Sequence, residues 1–230
     1  MYEWLRRRGE TDRNPAEGIA KMREPRRIVA SFTEGQLAVL LGQPDTRTFP
    51  GLRDRLFMLT LLDTGIRLSE ALGQGGNDVD LNGCILRVIG KGNKERMVGF
   101  PRQLARELCS YLIRRETVLQ QVGRPQCPWV FPNQEGGKGG PKGFQQRLKR
   151  YGKSAGLAGV RVSPHSFRHT FALFFVRNGG SPFHLQKILG HTSLDVSRRY
   201  CELADTDAVT THQELSPLGS LDLKLSRRLR

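Results

Sequence analysis

Apolar residues recur at helical spacing along much of this chain, and capping residues mark where the periodic stretches begin. The stretch 52–64 (LRDRLFMLTLLDT) is strongly apolar and predicts a helix that ends at Gly65. Upstream, Thr33 is followed three residues later by Gln36, which is the pattern of a capping box before the apolar residues of 37–41. Both stretches are therefore predicted to be helices.

Two β-rich stretches follow, joined by residues that favour a turn. Residues 84–90 (CILRVIG) and 95–100 (ERMVGF) flank Gly92 and Asn93, which supply turn chemistry. This arrangement predicts a β-hairpin with lysines at its tip. Residues 123–143 are rich in Gly and Pro, and they predict a loop with one short strand at the sequence WVF.

The remaining periodic stretches are predicted to be helices, and two of them open with Ser-Pro pairs that favour a helix start. They are a short helix opened by Ser69 and Glu70, then 102–120, 143–154, Ser163-Pro164 through Val176, Ser181-Pro182 to Leu189, and Leu194 to Cys201. The predicted fold class is therefore mainly α with a small antiparallel β-sheet (α+β). We find no internal repeat.

Charge is the feature of composition that changes the functional picture most. The chain has 230 residues, a formal charge of +15 at pH 7 and 37% hydrophobic residues. It is thus long enough for a sizeable core, and its charge favours a polyanionic partner, of which nucleic acid is the first candidate. A membrane surface is the competing partner for such a charge.

The membrane alternative finds no support in the hydrophobic pattern. The sequence has no apolar run of 18 residues, and the basic residues after Met1 are not followed by the apolar segment of a signal peptide. The four cysteines are scattered and contain no C-x-x-C pair, which fits reduced thiols better than disulfides or a zinc site. We therefore expect a cytoplasmic, nucleoid-associated protein without membrane contact.

Three polar residues of the predicted helix after Ser163 share one face. His165, Arg168 and His169 lie at i, i+3 and i+4, close to a helix start where backbone N–H groups attract anions. They could bind a phosphate, or they could form a solvated face opposite the phenylalanines of the same helix. A zinc site would also suit two histidines at this spacing, but the glutamate of the H-E-x-x-H motif is missing because Ser166 follows His165.

Other candidate residues each have an ordinary structural interpretation beside the chemical one. Tyr200, which follows His191 by nine residues in LGHTSLDVSRRY, could simply pack in a core. Arg67 in TGIRLSE could be an exposed helix arginine paired with Glu70, and Lys91 in GKGNKER could be a solubilising turn lysine. Their joint occurrence is the unusual observation.

Taken together, these residues supply what a tyrosine needs to attack a phosphodiester. The transition state spreads negative charge over the non-bridging oxygens, and positive, bidentate donors stabilise that charge. The candidate catalytic set contains a nucleophile, cationic donors and histidines: Arg67, Lys91, His165, Arg168, His191 and Tyr200.

In this order and at these spacings the residues resemble the tyrosine recombinases, or phage integrases, and in particular their Xer type. Lys91 lies 24 residues after Arg67, and His191 lies 26 residues after His165, in agreement with the family pattern. The matching stretches are TGIRLSEAL, VIGKGNKERMV, PHSFRHTFA and LGHTSLDVSRRY. The resemblance implies the catalytic-domain fold of that family.

The resemblance also implies roles for the cationic residues. Arg67 and Arg168 would be the arginine pair that clamps the two non-bridging oxygens in a forked geometry that lysine cannot imitate. Lys91 would be the hairpin lysine that protonates the leaving 5′-oxygen. His191 would donate a hydrogen bond to the phosphate.

The nucleophile implied by the resemblance is Tyr200, which would form a 3′-phosphotyrosyl link and release a 5′-hydroxyl. A free tyrosine has a pKa of about 10, so it needs a base at neutral pH. His165 is the candidate for accepting the tyrosine proton. His169 belongs to the family motif without an assigned chemical step.

A recombinase of this kind implies definite partners. Double-stranded DNA is the substrate, and no cofactor, ATP or metal is required because the covalent intermediate conserves the bond energy. The tail from about residue 203 contains a set of leucines, and we expect it to pack on a neighbouring copy in a tetramer on DNA, to fold back on its own domain or to be disordered. The alternative functions are a nicking-closing enzyme of the type IB topoisomerase kind and a catalytically silent DNA-binding module.

The domain organisation follows from the same resemblance, which extends from about Asn14 to Glu202. Residues 1–30 are expected to hold the end of an N-terminal DNA-binding domain (YEWLRRR) and a polar linker, and 31–230 the catalytic domain. Two positions depart from the family pattern. Gln74 replaces an apolar residue and is expected to weaken packing at the end of a helix, and Gly99 stands where a proline often follows the hairpin.

Overall fold

The computed structural model of the protein describes residues 2–15, 17, 30–90, 92–191 and 193–204. Nine α-helices lie within this part: α1 (Tyr2–Arg7), α2 (Glu34–Leu41), α3 (Phe49–Thr64), α4 (Leu68–Leu72), α5 (Arg102–Gln121), α6 (Pro141–Ser154), α7 (Pro164–Arg177), α8 (Pro182–Leu189) and α9 (Leu194–Ala204). The same part contains one antiparallel sheet, of strand order β1-β2-β3: β1 (Val79–Asp80), β2 (Ile85–Ile89) and β3 (Glu95–Gly99). The predicted fold class is confirmed.

Local capping explains why most helices begin where the sequence indicated. The Thr33 backbone N–H donates to Gln36 Oε1 at 3.0 Å, and the Gln36 N–H donates to Thr33 Oγ1 at 3.2 Å, so the capping box is confirmed. Ser163 and Ser181 each accept a backbone N–H from the first turn of α7 and α8. Helix α3 begins three residues earlier than predicted, because Thr48 caps it.

The end of α3 is fixed by a glycine that no other residue could replace without strain. Gly65 has a left-handed backbone with φ of 60° and closes the helix by donating its N–H to Leu61. A Cβ atom at this position would lie 2.4 Å from the Phe171 ring of α7. The backbone at Gly65 thus packs closely against α7, and the segment that follows α3 starts next to this helix.

The hairpin of β2 and β3 has the predicted turn chemistry. Gly92 and Asn93 both have positive φ, at 75° and 57°, and Val88 pairs with Arg96 across the antiparallel register. Lys91 lies outside the described residues. The short strand β1, which pairs with the start of β2, was not predicted because two residues carry no recognisable pattern.

The loop between α5 and α6 corrects one sequence-based expectation. The predicted short strand at WVF is not formed, and Trp129 makes only an isolated bridge with Gly75, while Pro132 makes another with Lys138. These bridges still tie the loop to the domain. Helix α6 then begins at Pro141, two residues before the predicted start.

The main core lies between α2–α6, the sheet and the start of α7. The Phe57 ring of α3 stacks on Phe144 of α6 at 4.1 Å and meets Phe131 edge-on at 5.2 Å. Phe167 anchors α7 in the same core, with its ring 5.1 Å from that of Phe32. Helix α7 is thereby held on one side by the main core.

A second, smaller apolar cluster joins the other side of α7 to α8 and α9. Its buried members come from these three helices only: Ala172, Leu173, Val176, Leu185, Leu189, Tyr200 and Ala204. Helix α7 therefore lies between two cores. Its polar face reaches both the end of α3 and the helix that carries Tyr200.

Gln74, which was expected to weaken packing at the end of α4, is hydrogen-bonded there on one side of its amide. Its side chain is buried, and Nε2 donates to the Arg87 carbonyl of β2 at 3.2 Å. Its own carbonyl accepts the N–H of Val130 at 2.9 Å. The side-chain amide thus connects the end of α4 to the sheet, and the backbone carbonyl of Gln74 connects it to the loop after α5. The side-chain Oε1 is buried without a partner.

Two negative expectations can be compared with the described part of the chain. The four cysteines, all of which lie in it, form no disulfide with one another. No helix among the described residues is long and apolar enough to cross a membrane.

Candidate active site

Arg168 lies on the inward face of α7 and is fixed by the ends of two other helices. Its side chain is buried, with the residue 7% exposed. Nη1 donates to the Gly65 carbonyl at the end of α3, and Nη2 donates to the Leu189 carbonyl at the end of α8, both at 2.8 Å. Helix C-termini carry unpaired carbonyls and negative partial charge, so they stabilise this cation. A solvated polar face is therefore the wrong interpretation for Arg168.

The charge of Arg168 survives its burial. Burial lowers the pKa of its guanidinium to about 10, and the neighbouring charge of Arg67 acts in the same direction. This value still leaves the group protonated at neutral pH. The charged guanidinium of Arg168 is therefore held in a fixed orientation by contacts within the protein itself.

Arg67 stands at the N-cap position of α4 and is paired with a buried carboxylate. Its Nη1 donates to Glu70 Oε1 at 2.9 Å, and its backbone N–H donates to Glu70 Oε2 at 2.8 Å. The side chain of Arg67 remains 42% exposed, whereas that of Glu70 is 4% exposed. The ordinary structural interpretation of Arg67 predicted a pairing with Glu70, and this pairing is present. It also fixes the arginine toward the cavity described below.

Arg96 is a member of this cluster that sequence reasoning missed. From β3, its Nη1 and Nη2 reach Glu70 Oε1 and Oε2 at 3.0 and 2.8 Å, and its Nε donates to the Ile188 carbonyl of α8 at 2.7 Å. We call Arg67, Glu70 and Arg96 the Glu70 clamp. A signal was available, because strand alternation places Arg96 on the same face as the buried Val98. An inward-facing arginine requires an anionic partner.

The clamp decides the charge of its carboxylate. Burial alone would raise the pKa of Glu70, but the hydrogen bonds and charge of Arg96, with those of Arg67, outweigh burial and hold the pKa below its ordinary value. Glu70 is therefore ionised at neutral pH. It balances part of the positive charge that gathers around Arg168.

A cavity of about 400 Å³ lies between the start of α7 and the start of α4. Arg67, Arg168 and His165 line it, together with Arg161 and Gln145. Three arginines and a histidine around one opening, at the N-terminal end of α7, suit an anion such as a phosphate. The structure thus brings together three of the six candidate residues around one space.

His191 follows the left-handed glycine that ends α8. Its Nδ1 lies 3.2 Å from Ser197 Oγ of α9. Burial, followed by the charges of Arg168 and Arg67, lowers its pKa to about 4, so the ring is neutral at neutral pH. When the Ser197 hydroxyl donates to Nδ1, the proton of the neutral ring sits on Nε2, which can then donate to a phosphate oxygen.

Tyr200 is both a packing residue and a candidate nucleophile. It is 5% exposed and belongs to the small cluster of α7, α8 and α9. Its hydroxyl lies 2.9 Å from His169 Nδ1. Burial raises the pKa of the phenol, and the charge of Arg168 opposes this rise. The hydroxyl is therefore protonated at neutral pH and needs a base before it can attack.

The two histidines of α7 are in contact with each other. His169 Nε2 lies 3.1 Å from His165 Nε2, and the rings are nearly perpendicular, at 86°. Burial, then the neighbouring His165 and Arg168, lower the pKa of His169 to about 4. No group of three or more potential metal ligands occurs among the described residues, so these histidines lack further protein ligands there.

Five of the six candidate residues are therefore placed in one region, and the sixth, Lys91, lies outside the described residues. The sequence profile of the phage integrase family matches residues 31–207 of this chain.

The chain belongs to the phage integrase family.

Similar proteins and solved structures support membership of this family. Tyrosine recombinase XerC of Myxococcus xanthus is 34% identical over 204 residues, which cover 88% of this chain and 68% of the relative. The crystal structure of XerA recombinase superposes with a TM-score of 0.67 at 25% identity and covers 86% of this chain and 67% of that one. XerH recombinase in a post-cleavage complex with a palindromic difH substrate gives 0.66 at 26% identity, over 84% and 54%.

Family membership confirms the resemblance drawn from the sequence motifs. The phage integrase family comprises tyrosine recombinases, which cleave and rejoin DNA by transesterification, and this chain is an enzyme of that class. The catalytic-domain fold expected from the motifs is likewise confirmed by the superpositions.

Proposed function

We propose that this chain is a site-specific recombinase that cuts and rejoins double-stranded DNA through a 3′-phosphotyrosyl intermediate. The observation that carries the proposal is the contact of the Tyr200 hydroxyl with His169, which links the nucleophile to His165 and to the cavity lined by Arg67 and Arg168. The relative XerH, solved with its DNA substrate after cleavage, supports DNA as the substrate.

Arg67 and Arg168 are proposed to bind the two non-bridging oxygens of the scissile phosphate. Arg168 is already oriented by two helix ends, so little side-chain entropy is lost when it binds. His191 is proposed to donate from Nε2 to the same phosphate. Together these donors stabilise the charge of the pentacoordinate transition state.

Tyr200 is proposed to attack the phosphorus, with His165 as the final acceptor of its proton. Lys91 is proposed to protonate the leaving 5′-oxygen, a step of general acid catalysis worth about 10²–10⁴ in rate. Rejoining reverses these steps, with a 5′-hydroxyl from another strand as the attacking group. Since one phosphodiester replaces another, the exchange needs no nucleotide hydrolysis and no cofactor.

DNA is the proposed partner because the formal charge of +15 suits a polyanion and because three arginines line the cavity of the candidate site. We further propose that copies assemble as a tetramer on DNA through the tail, whose apolar residues are Leu215, Leu218, Leu221, Leu223 and Leu225. The tail beyond Ala204 lies outside the described residues. A chain shortened after Ala204 should cleave DNA but give fewer cross-linked tetramers.

Two further expectations remain proposals. We place a domain boundary near residue 30, with 31–230 as the catalytic domain, and the extent of the family match supports it. We also place the protein at the nucleoid, where its proposed substrate lies. Limited proteolysis with mass analysis tests the boundary, since cleavage should concentrate before residue 31.

The test of function is a suicide duplex that carries a candidate recombination site with a nick close to the scissile phosphate. Loss of the short 5′-hydroxyl fragment prevents rejoining, so the wild-type chain should accumulate as a covalent adduct that survives denaturation. Binding of the duplex without any adduct would indicate a catalytically silent DNA-binding module. Relaxation of supercoils without strand exchange would instead indicate an enzyme of the type IB topoisomerase kind.

A further inference from the structure

The hydroxyl of Tyr200 has no described contact with His165, the residue proposed to hold its proton. The contact runs through His169, whose Nδ1 lies 2.9 Å from the tyrosine oxygen and whose Nε2 lies 3.1 Å from His165 Nε2. Each of the two nitrogens of His169 thus faces a different proton-transfer partner. His165, at the far end, is exposed on the cavity wall.

Two proton arrangements fit the same heavy-atom positions. In the first, the Tyr200 hydroxyl donates to Nδ1 of His169, whose Nε2–H donates to Nε2 of His165. In the second, the Nδ1–H of His169 donates to the phenolate, and the Nε2–H of a protonated His165 donates to His169. The arrangements differ by two short proton shifts, and the net result is one proton moved from Tyr200 to His165.

We propose that His169 is a catalytic residue that accepts the proton of Tyr200 at Nδ1 and passes the proton of its own Nε2 to His165. This inference rests on the proposed function and specifies its base. In cleavage, the bond between the tyrosine oxygen and phosphorus forms while the bond from phosphorus to the 5′-oxygen breaks. The tyrosine proton enters the relay, and the 5′-oxygen takes a proton from Lys91.

Burial explains why the positive charge ends on His165 and not on His169. Burial, with the charges of His165 and Arg168, lowers the pKa of His169 to about 4, so an imidazolium is unfavourable there. His165 also has a lowered pKa, from burial and then Arg168, but it opens to the cavity and to solvent. Arg67 across the cavity is cationic and His191 is neutral at neutral pH, so neither of them stabilises a positive charge on His169.

A substitution can separate this role from simple positioning of the tyrosine. In His169→Asn, the amide Oδ1 takes the place of Nδ1 and can still accept the hydrogen bond of the tyrosine, but it cannot transfer a proton. His184→Asn is the matched control, because His184 is exposed on α8 and has no described contact with the site. Single-turnover cleavage of the suicide duplex at saturating protein is the measurement, from about pH 6 to about pH 9.5.

The expected result is cleavage about 10²-fold slower at neutral pH for His169→Asn, with a rate that rises steeply with pH as hydroxide replaces the base. The control should match the wild type throughout. A His169→Asn variant that cleaves at the wild-type rate, while His169→Ala is slow, would overturn the relay and leave a positioning role. An absence of adduct from the wild-type chain would instead count against the proposed function.

A second measurement uses the wild-type chain alone, so it does not depend on whether the variants fold. A duplex with sulfur in place of the 5′-bridging oxygen has a leaving group that needs no proton, so only the tyrosine side of the reaction transfers protons. With the wild-type chain, the cleavage rate in mixtures of H₂O and D₂O should then follow a curved dependence on deuterium content, as two moving protons require. A straight line would mean that one proton moves, and the relay would be wrong.

Discussion

The Glu70 clamp offers a direct test of how the active site is held together. Arg96→Met keeps the length of the side chain but removes its guanidinium. The change deletes the hydrogen bonds to Glu70 at 3.0 and 2.8 Å and to the Ile188 carbonyl at 2.7 Å. Glu70, with a side chain that is 4% exposed, is then left with Arg67 as its charged partner.

The magnitude follows from the burial of the carboxylate. Breaking a buried ion pair by removal of one partner costs about 3–5 kcal/mol. Because Arg67 still donates twice to Glu70, we expect the lower end, about 3 kcal/mol in the free energy of unfolding. For a chain of this size, that loss corresponds to a Tm lower by about 6–12 °C.

The assay is urea and thermal unfolding followed by circular dichroism at neutral pH, with Arg87→Met as the control. Arg87 lies on the neighbouring strand and pairs with Asp78 at 2.7 Å, but its side chain is 42% exposed, so its loss should cost at most about 1 kcal/mol. The double variant Glu70→Gln/Arg96→Met should be less destabilised than the sum of its single variants, because each single variant leaves the charge of the other residue without this partner and the double variant removes both charges. An effect of Arg96→Met below about 0.5 kcal/mol, or strict additivity, would refute the reasoning.

The sign of the pH dependence gives the same test a second readout. The pKa of Glu70 is lowered in the folded state, so its contribution to stability is present above its unfolded pKa. That contribution is lost as the pH falls through the folded value. The difference in stability between the wild type and Arg96→Met should therefore shrink in acid.

Four further outcomes are expected. Tyr200→Phe should bind the DNA duplex as the wild type does and form no covalent adduct, and an adduct from it would exclude Tyr200 as nucleophile. Arg168→Lys, which loses the fork that reaches Gly65 and Leu189, should cleave at least about 10²-fold more slowly in single-turnover assays. Asp63→Asn should raise the free energy of unfolding at pH 7 by about 1 kcal/mol and leave it unchanged near pH 4, because burial raises the pKa of Asp63 to about 6 and the penalty for ionising it in the folded state builds up as the pH rises from its unfolded pKa to that value. Excess chelator should leave the adduct yield of the wild type unchanged, and a loss of adduct would revive a metal at His165 and His169.

Local sequence signals were sufficient for most of the fold. Ser163-Pro164 and Ser181-Pro182 fix the starts of α7 and α8 through hydrogen bonds within the first turn, so they can be recognised without any tertiary information. Gly65 marks the end of α3 for the same reason. The short strand β1 and the bridge of Trp129 with Gly75 depend on pairing with other segments of the chain, and no local sequence pattern predicts such pairing.

The motifs indicated several candidate residues of the site but neither Arg96 nor the contacts between the residues. The motifs identified Arg67, Arg168 and Tyr200, because residue type and spacing carry that information. The second partner of Glu70 comes from a strand 26 residues later in the sequence, and only the packing of the hairpin against α8 determines it. The contact of Tyr200 with His169 likewise depends on how α9 crosses α7, which spacing along the chain does not encode.

The cluster of α7, α8 and α9 holds the Tyr200 hydroxyl against His169 of the same chain. If the proposed roles hold, each copy carries its own nucleophile beside its own phosphate-binding groups. In genetic terms, two inactive alleles, Tyr200→Phe and Arg168→Lys, should not complement each other when they are expressed together. Each copy would keep one defect at the phosphate that it holds. A wild-type copy beside a defective one should still cut its own strand, so mixed assemblies would stall with some strands cut and others intact.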